Sequence, residues 1–179
     1  MIGVLVSGEG SNLQALLDGD LPVVAVASNN PEARALERAQ AAGVETATFA
    51  LEDFETREER DLAMAEWLEE HGARLIACAG YMQLLAPAFL ARFPGRVINI
   101  HPSLLPAFPG THPIEDALAA KVAETGVTVH YVDEGVDSGP IIAQERLAIL
   151  PDDTAEALHE RIHIVEHRLL PRVLRDLVA

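Results

Sequence analysis

The stretch Asn99-Ile100-His101-Pro102-Ser103, continued by Leu104-Leu105-Pro106, closes an apolar run that begins near Arg96. A carboxamide and an imidazole two residues apart share one face of a strand. The two prolines then turn the chain out of the sheet. An amide donor beside a proton carrier at a strand end suits a reaction at a carbonyl carbon. A buried histidine with an asparagine turn cap fits the same residues, and this stretch alone leaves both readings open.

Outward from that strand, apolar runs alternate with helical patterns. Toward the N terminus, strands are expected at Ile2–Val6, Val23–Ala27, Thr46–Phe49 and Arg74–Ala79. Helices are expected over Leu13–Leu17, from Pro31 to Ala42 with Gly43 as the stop, over Thr56–Glu70, and near Pro87–Arg92. Toward the C terminus the pattern gives a helix over Ile114–Glu124, strands at Gly126–Val132 and Ile141–Leu147, and a final helix from Asp153 to Leu177. Leu158, Ile162, Val165 and Leu169 mark its apolar stripe, and Pro171 should kink or interrupt it. Strands alternating with helices imply an α/β fold with a doubly wound, mostly parallel sheet. The last two strands have no helix between them and are expected to pair antiparallel.

The 179 residues, 49% of them hydrophobic, suit a single domain spanning 1–179, and no apolar run is long enough to cross a membrane. The start Met1–Val6 lacks the basic region of a signal peptide, and a cytoplasmic protein is expected. The single cysteine, Cys78, excludes an internal disulfide and reads as a buried core residue. The formal charge is −15, and Lys121 is the only lysine among 13 basic residues. Such an excess argues against a nucleic-acid partner, so an anionic substrate would need local donors.

The first turn, Ser7-Gly8-Glu9-Gly10-Ser11-Asn12, joins a strand to a helix. Glycines admit close backbone approach, and free amides at a helix start favour phosphate. Leu13 stands where a dinucleotide fingerprint needs its third glycine, so a monophosphate is the better fit. A plain turn with Ser11 as N-cap is the alternative. Gly135 and Gly139 bracket Asp137 in a tight loop between the last two strands. Asp137 is either a solvated turn former or, beside His101, a carboxylate that favours the imidazolium. Thr128 and His130 share a polar strand face, where His130 reads as support for a neighbouring group. His159, His163 and Glu166 form a polar helix face that a solvated surface would also explain. His163 and His167 are four apart without a third ligand, so no metal site is expected. Ser103 lacks the glycine-flanked elbow of a hydrolase nucleophile.

Taken together, these motifs resemble the phosphoribosylglycinamide formyltransferases, folate-dependent enzymes of purine biosynthesis. The likeness runs from Ser7-Gly8-Glu9-Gly10-Ser11-Asn12-Leu13-Gln14 to Glu166-His167, with Phe108-Pro109-Gly110 and Asp137-Ser138-Gly139-Pro140 in between. It implies a Rossmann-like formyltransferase fold, with residues 1–100 as a phosphate-binding half and 101–179 as a catalytic and folate-binding half. It also implies 10-formyltetrahydrofolate as co-substrate, glycinamide ribonucleotide as acceptor, no metal, and a monomer or homodimer.

Residue by residue, the resemblance makes His101 the proton donor, Asn99 the holder of the formyl oxygen, and Asp137 the group that raises the His101 pKa and orders water. Gly10, Ser11 and Asn12 would hold the ribonucleotide phosphate, with His163 and Glu166 at the ribose. Arg57, Met82, Gln83, Leu84 and Leu85 would border the folate, and Asp133, Glu134, Gly135, Val136 and Asp137 would wrap its pterin. Ser103, His112, Thr128 and His130 would support the site. The family often carries Arg or Lys where this chain has Gln83, and Gln where it has His163. Many relatives also carry a tail beyond Ala179 that lies outside the catalytic motifs. The rival readings are a formyl-folate hydrolase, a methionyl-tRNA formyltransferase, which would need a further RNA-binding domain, and an idle folate- or nucleotide-binding module.

Overall fold

The computed structural model describes residues 1–179. Strands β1 (Ile2–Val6), β2 (Val23–Ser28), β3 (Glu45–Thr48), β4 (Leu75–Cys78), β5 (Val97–His101), β6 (Glu124–Tyr131) and β7 (Ile141–Ala148) form one sheet in the order β3-β2-β1-β4-β5-β6-β7. Every pair from β3 to β5 is parallel, whereas β6 pairs antiparallel with both β5 and β7. The antiparallel character therefore begins one strand earlier than the sequence pattern indicates.

Six helices cover the sheet: α1 (Ser11–Asp18), α2 (Arg34–Ala41), α3 (Arg57–Glu70), α4 (Pro87–Arg92), α5 (Pro113–Ala119) and α6 (Ala155–Val178). Alternation along each strand divides the core between two layers. On β1, Val4 and Val6 join Leu13, Leu16, Ala35 and the α6 stripe, while Leu5 joins Met64, Leu68 and Phe89 of α3 and α4. On β5, Ile98 and Ile100 face the first layer and Val97 the second. Asn99 and His101 thus share the Val97 face, as a period of two requires. Cys78 is buried in the second layer, and burial pushes its thiol up to about 12.

Three expected boundaries shift. Helix α2 starts at Arg34, because Asn30 closes a turn by accepting the Glu32 N–H at its side chain and the Ala33 N–H at its carbonyl. Helix α5 ends at Ala119, before a left-handed Lys121 (φ 53°), and Glu124 is already committed to pairing with Ala148. Helix α6 continues unbroken through Pro171. One lost backbone hydrogen bond is outweighed there by the burial of Leu169, Leu170, Val173 and Leu174 around a proline that is itself buried.

The stripe of α6 gives a direct test. Leu169→Ala, at a fully buried position, should cost about 2–5 kcal/mol in denaturant unfolding. Ile164→Ala, on the exposed face of the same helix, should change stability by less than about 0.5 kcal/mol.

Candidate active site

The antiparallel register sets Asn99 opposite His130 and His101 opposite Thr128. All four therefore lie near one another on one face of the sheet. Asp137 reaches this face from the β6–β7 loop, in the left-handed conformation with φ 51°. One carboxylate oxygen accepts the Gly110 N–H at 2.9 Å and lies 3.4 Å from His101 Nδ1. The other lies 3.4 Å from Asn99 Nδ2 and 3.5 Å from His130 Nε2. Burial pushes the Asp137 carboxyl up. The His130 contact, the Gly110 N–H and the His101 and His130 charges outweigh that effect and hold it below the usual carboxylate range.

Each imidazole is oriented through its second nitrogen. His101 Nε2 lies 2.8 Å from the Phe108 carbonyl, and His130 Nδ1 lies 2.9 Å from the Tyr131 carbonyl. A ring nitrogen facing a carbonyl must carry the proton. His130 Nε2 lies 3.2 Å from Asn99 Nδ2 and 3.5 Å from Asp137, so it accepts from the amide when neutral and donates to the carboxylate when charged. The contacts to Asp137 at 3.4–3.5 Å are long for hydrogen bonds, so a ligand oxygen can replace them at little cost.

The other feature is the turn after β1. Gly10 is the N-cap of α1, left-handed at φ 75°, and no side chain caps the helix. Ser11 is the first helical residue, so the alternative of a serine cap is overturned and the leading amides stay available to an anion. A Cβ at Gly10 would sit 2.7 Å from Ala35 Cα, so only glycine fits. Behind the turn, Asn12 Nδ2 donates to Glu166 Oε2 at 3.1 Å, and both residues are buried. Burial, opposed by this hydrogen bond, pushes the Glu166 carboxyl up to about 7. His163 lies 3.8 Å from Glu166, its ring tilted against His159 and stacked on His167. Burial and those two neighbouring rings bring it down to about 4.

This combination of fold and residues has close counterparts. A profile of the formyl transferase family matches residues 1–174. The chain belongs to the formyl transferase family. Phosphoribosylglycinamide formyltransferase of Mycobacterium tuberculosis (strain H37Rv) is 50% identical over 172 residues, 93% of this chain and 80% of that protein. The crystal structure of phosphoribosylglycinamide formyltransferase from Streptococcus pneumoniae TIGR4 is 45% identical with a TM-score of 0.96, covering 99% of this chain and 98% of that one. The trifunctional purine biosynthetic protein adenosine-3 of Drosophila melanogaster is 45% identical over 99% of this chain, which spans only 14% of that protein's length.

Within this formyl transferase fold, Asn99, His101, His130 and Asp137 converge, and the segment following β4 lies beside them. Cys78 pairs with Asn99, so residues 79–86 leave the sheet next to the amide. That segment is tied down at both ends: Ser7 Oγ accepts the Met82 N–H at 2.8 Å, and Asp61 Oδ2 accepts the Ala86 N–H at 2.7 Å. Met82, Leu84 and Val136 are largely exposed, and Leu85 packs on the second core layer. Asp133 closes the β6–β7 loop by accepting from Gly135 N–H and Ser138 Oγ. Ser103 and Thr128 are structural: the Ser103 hydroxyl donates to the Ala107 carbonyl, and Thr128 Oγ1 donates to the Ser103 carbonyl while accepting the Leu105 N–H. His112 precedes α5 with its ring on the Thr111 hydroxyl and not on the helix amides, and Arg57 stands at the start of α3 without an ion pair; neither bonds to the cluster.

Four contributors escaped the sequence reading. Phe108 and Gly110 orient His101 and Asp137 through backbone atoms, and Phe108-Pro109-Gly110 was a visible motif without an assignable part. Ser7 and Asp61 act through long-range backbone contacts that leave no local signal.

Glu166 supplies a stability prediction. Its folded-state value of about 7 lies above the ordinary 4.5, so its contribution is fully present below the lower value and is lost as pH rises through the upper one. Glu166→Gln should flatten the decline in unfolding free energy between those limits. Parallel pH profiles for wild type and variant would contradict the assignment.

Proposed function

We propose that the protein transfers the formyl group of 10-formyltetrahydrofolate to the amine of glycinamide ribonucleotide, giving formylglycinamide ribonucleotide and tetrahydrofolate in purine biosynthesis. The observation that carries this reading is the convergence of Asn99, His101 and Asp137 on the sheet that also carries the uncapped Gly10–Asn12 turn.

In this reading the ribonucleotide phosphate takes the free amides of Ser11 and Asn12, with Glu166 and His163 at the ribose. The apolar side chains of Met82, Leu84, Leu85 and Val136, with Gln83, Arg57 and the 133–137 loop, border the folate. The neutral amine attacks the formyl carbon. The oxyanion forms against the Asn99 amide and the His101 ring, which exchange their long contacts with Asp137 for shorter ones to oxygen. The Phe108 carbonyl keeps the imidazole in place, and Asp137, through a water, takes the proton of the attacking amine and delivers it to N10. The C–N10 bond of the tetrahedral intermediate then breaks. No covalent enzyme intermediate is involved: the one thiol is buried, and Ser103 is spent on a backbone carbonyl.

Deformylated folate should appear only when glycinamide ribonucleotide is present, and equal release in its absence would instead mark a hydrolase. Asn99→Ala and His101→Ala should each lower kcat by about 10²–10³-fold, with KM for both substrates little changed. Turnover above about a tenth of wild type in either variant would remove that residue from the mechanism.

A further inference from the structure

A cleft of about 630 Å³ lies apart from the reacting centre; it runs between α1 and α6 from Ser11 to Gly19. Its walls carry Arg38, Arg168, Arg172 and Arg175, in a protein of net charge −15. Arg168 is paired with Glu145. Arg38, Arg172 and Arg175 have no carboxylate at ion-pair distance, although the chain holds 28 acidic residues. Arg38 donates instead to the Glu9 carbonyl at 2.7 Å and to Gln14 Oε1 at 3.2 Å, and Arg175 to the Gly19 carbonyl at 3.1 Å. The only carboxylate on the wall, Asp18, accepts from Gln14.

Arg168, Arg172 and Arg175 stand four and then three residues apart, on one face of α6. Like charges at such spacing destabilise a helix. Arg38 adds a fourth cation from α2. His167, on the same wall, has a buried Nε2 with no hydrogen-bond partner. Arg38, Arg172 and Arg175, which no carboxylate neutralises at ion-pair distance, leave positive charge on this wall that an anion would relieve. Guanidinium groups match phosphate oxygens two at a time. The cleft shares Ser11 with the Gly10–Asn12 turn, so the two anion sites are contiguous.

We propose that this cleft binds a pyrophosphate group. The chemistry is met either by free inorganic pyrophosphate or by the diphosphate of a nucleotide whose first phosphate occupies the turn. Neither source takes part in formyl transfer, so the site goes beyond the reaction proposed above.

Calorimetric titration of the whole protein at low ionic strength with inorganic phosphate, pyrophosphate and ADP tests it. Pyrophosphate should bind at least about ten-fold more tightly than phosphate. The double variant Arg172→Ala/Arg175→Ala should lose about ten-fold of that affinity and keep its formyl-transfer kinetics. Arg172→Glu, at an exposed position that holds no other contact, should lose it too. ADP binding more tightly than pyrophosphate assigns the site to a nucleotide tail, and the reverse order assigns it to the free anion. Pyrophosphate no tighter than phosphate, or unchanged binding in both variants, overturns the proposal. Calorimetry is blind to turnover, so an inactive protein that still binds pyrophosphate counts against the transfer reaction alone.

Discussion

The pairing of β5 with β6 is the constraint on which the site depends. With Asn99 opposite His130 and His101 opposite Thr128, four polar side chains occupy one face, while Ile98, Ile100, Val127 and Val129 fill the core on the other. A slip of β6 by one residue would turn Val127 and Val129 toward Asn99 and His101 and drive Thr128 and His130 into the aliphatic layer. The hydrophobic layer under α1, α5 and α6 therefore fixes the position of the polar cluster. Asn99 thus lies between Cys78 of the parallel neighbour β4 and His130 of the antiparallel neighbour β6.

Asp137 must still be brought in from far along the chain. Tyr131 pairs with Ile98, and the Val132 N–H donates to the Val97 carbonyl, so the loop leaves β6 at the opposite end of β5 from His101. To reach the imidazole it folds back across the sheet face. Gly139 permits this, because a Cβ there would run into the Tyr131 carbonyl. The left-handed Asp137 then aims its carboxylate at Gly110, and the Asp133 side chain holds the loop closed. Backbone donors of one loop thereby orient the side chain of another, and the two imidazoles fall between them.

The order of elements, the two-faced strands and the Gly10–Asn12 turn were legible in the sequence because each rests on local periodicity or local turn chemistry. The Asn99–His101 spacing was legible for the same reason. What escaped reading depends on contacts between distant segments. Nothing near Pro171 announces that its helix continues, with the surrounding leucines buried. His130 reads as a supporting group until the register sets it against both Asn99 and Asp137. Asp61 looks like one more charge on an acidic helix. It is fully buried, paired with Arg60, and carries the Ala86 amide. Two glutamates on opposite sides of the same question differ in the same way: Glu9 is exposed beside the turn, whereas Glu166, far along the chain, lies behind it on Asn12.

Net charge and local charge act on different length scales here. At physiological salt, fields from exposed carboxylates fade over about 8–10 Å, so the global excess hardly reaches a bound anion. A phosphate at the Gly10–Asn12 turn instead meets helix amides at contact distance, in a setting where solvent screens little. The buried Glu166 would oppose it if ionised, and its displacement up to about 7 keeps that carboxyl largely protonated at lower pH and available as a donor. His163, brought down to about 4, adds a neutral ring rather than a cation. In the proposed reading, anion affinity at this turn would come from backbone dipoles and neutral donors, and the arginines of the neighbouring cleft would extend the site instead of creating it.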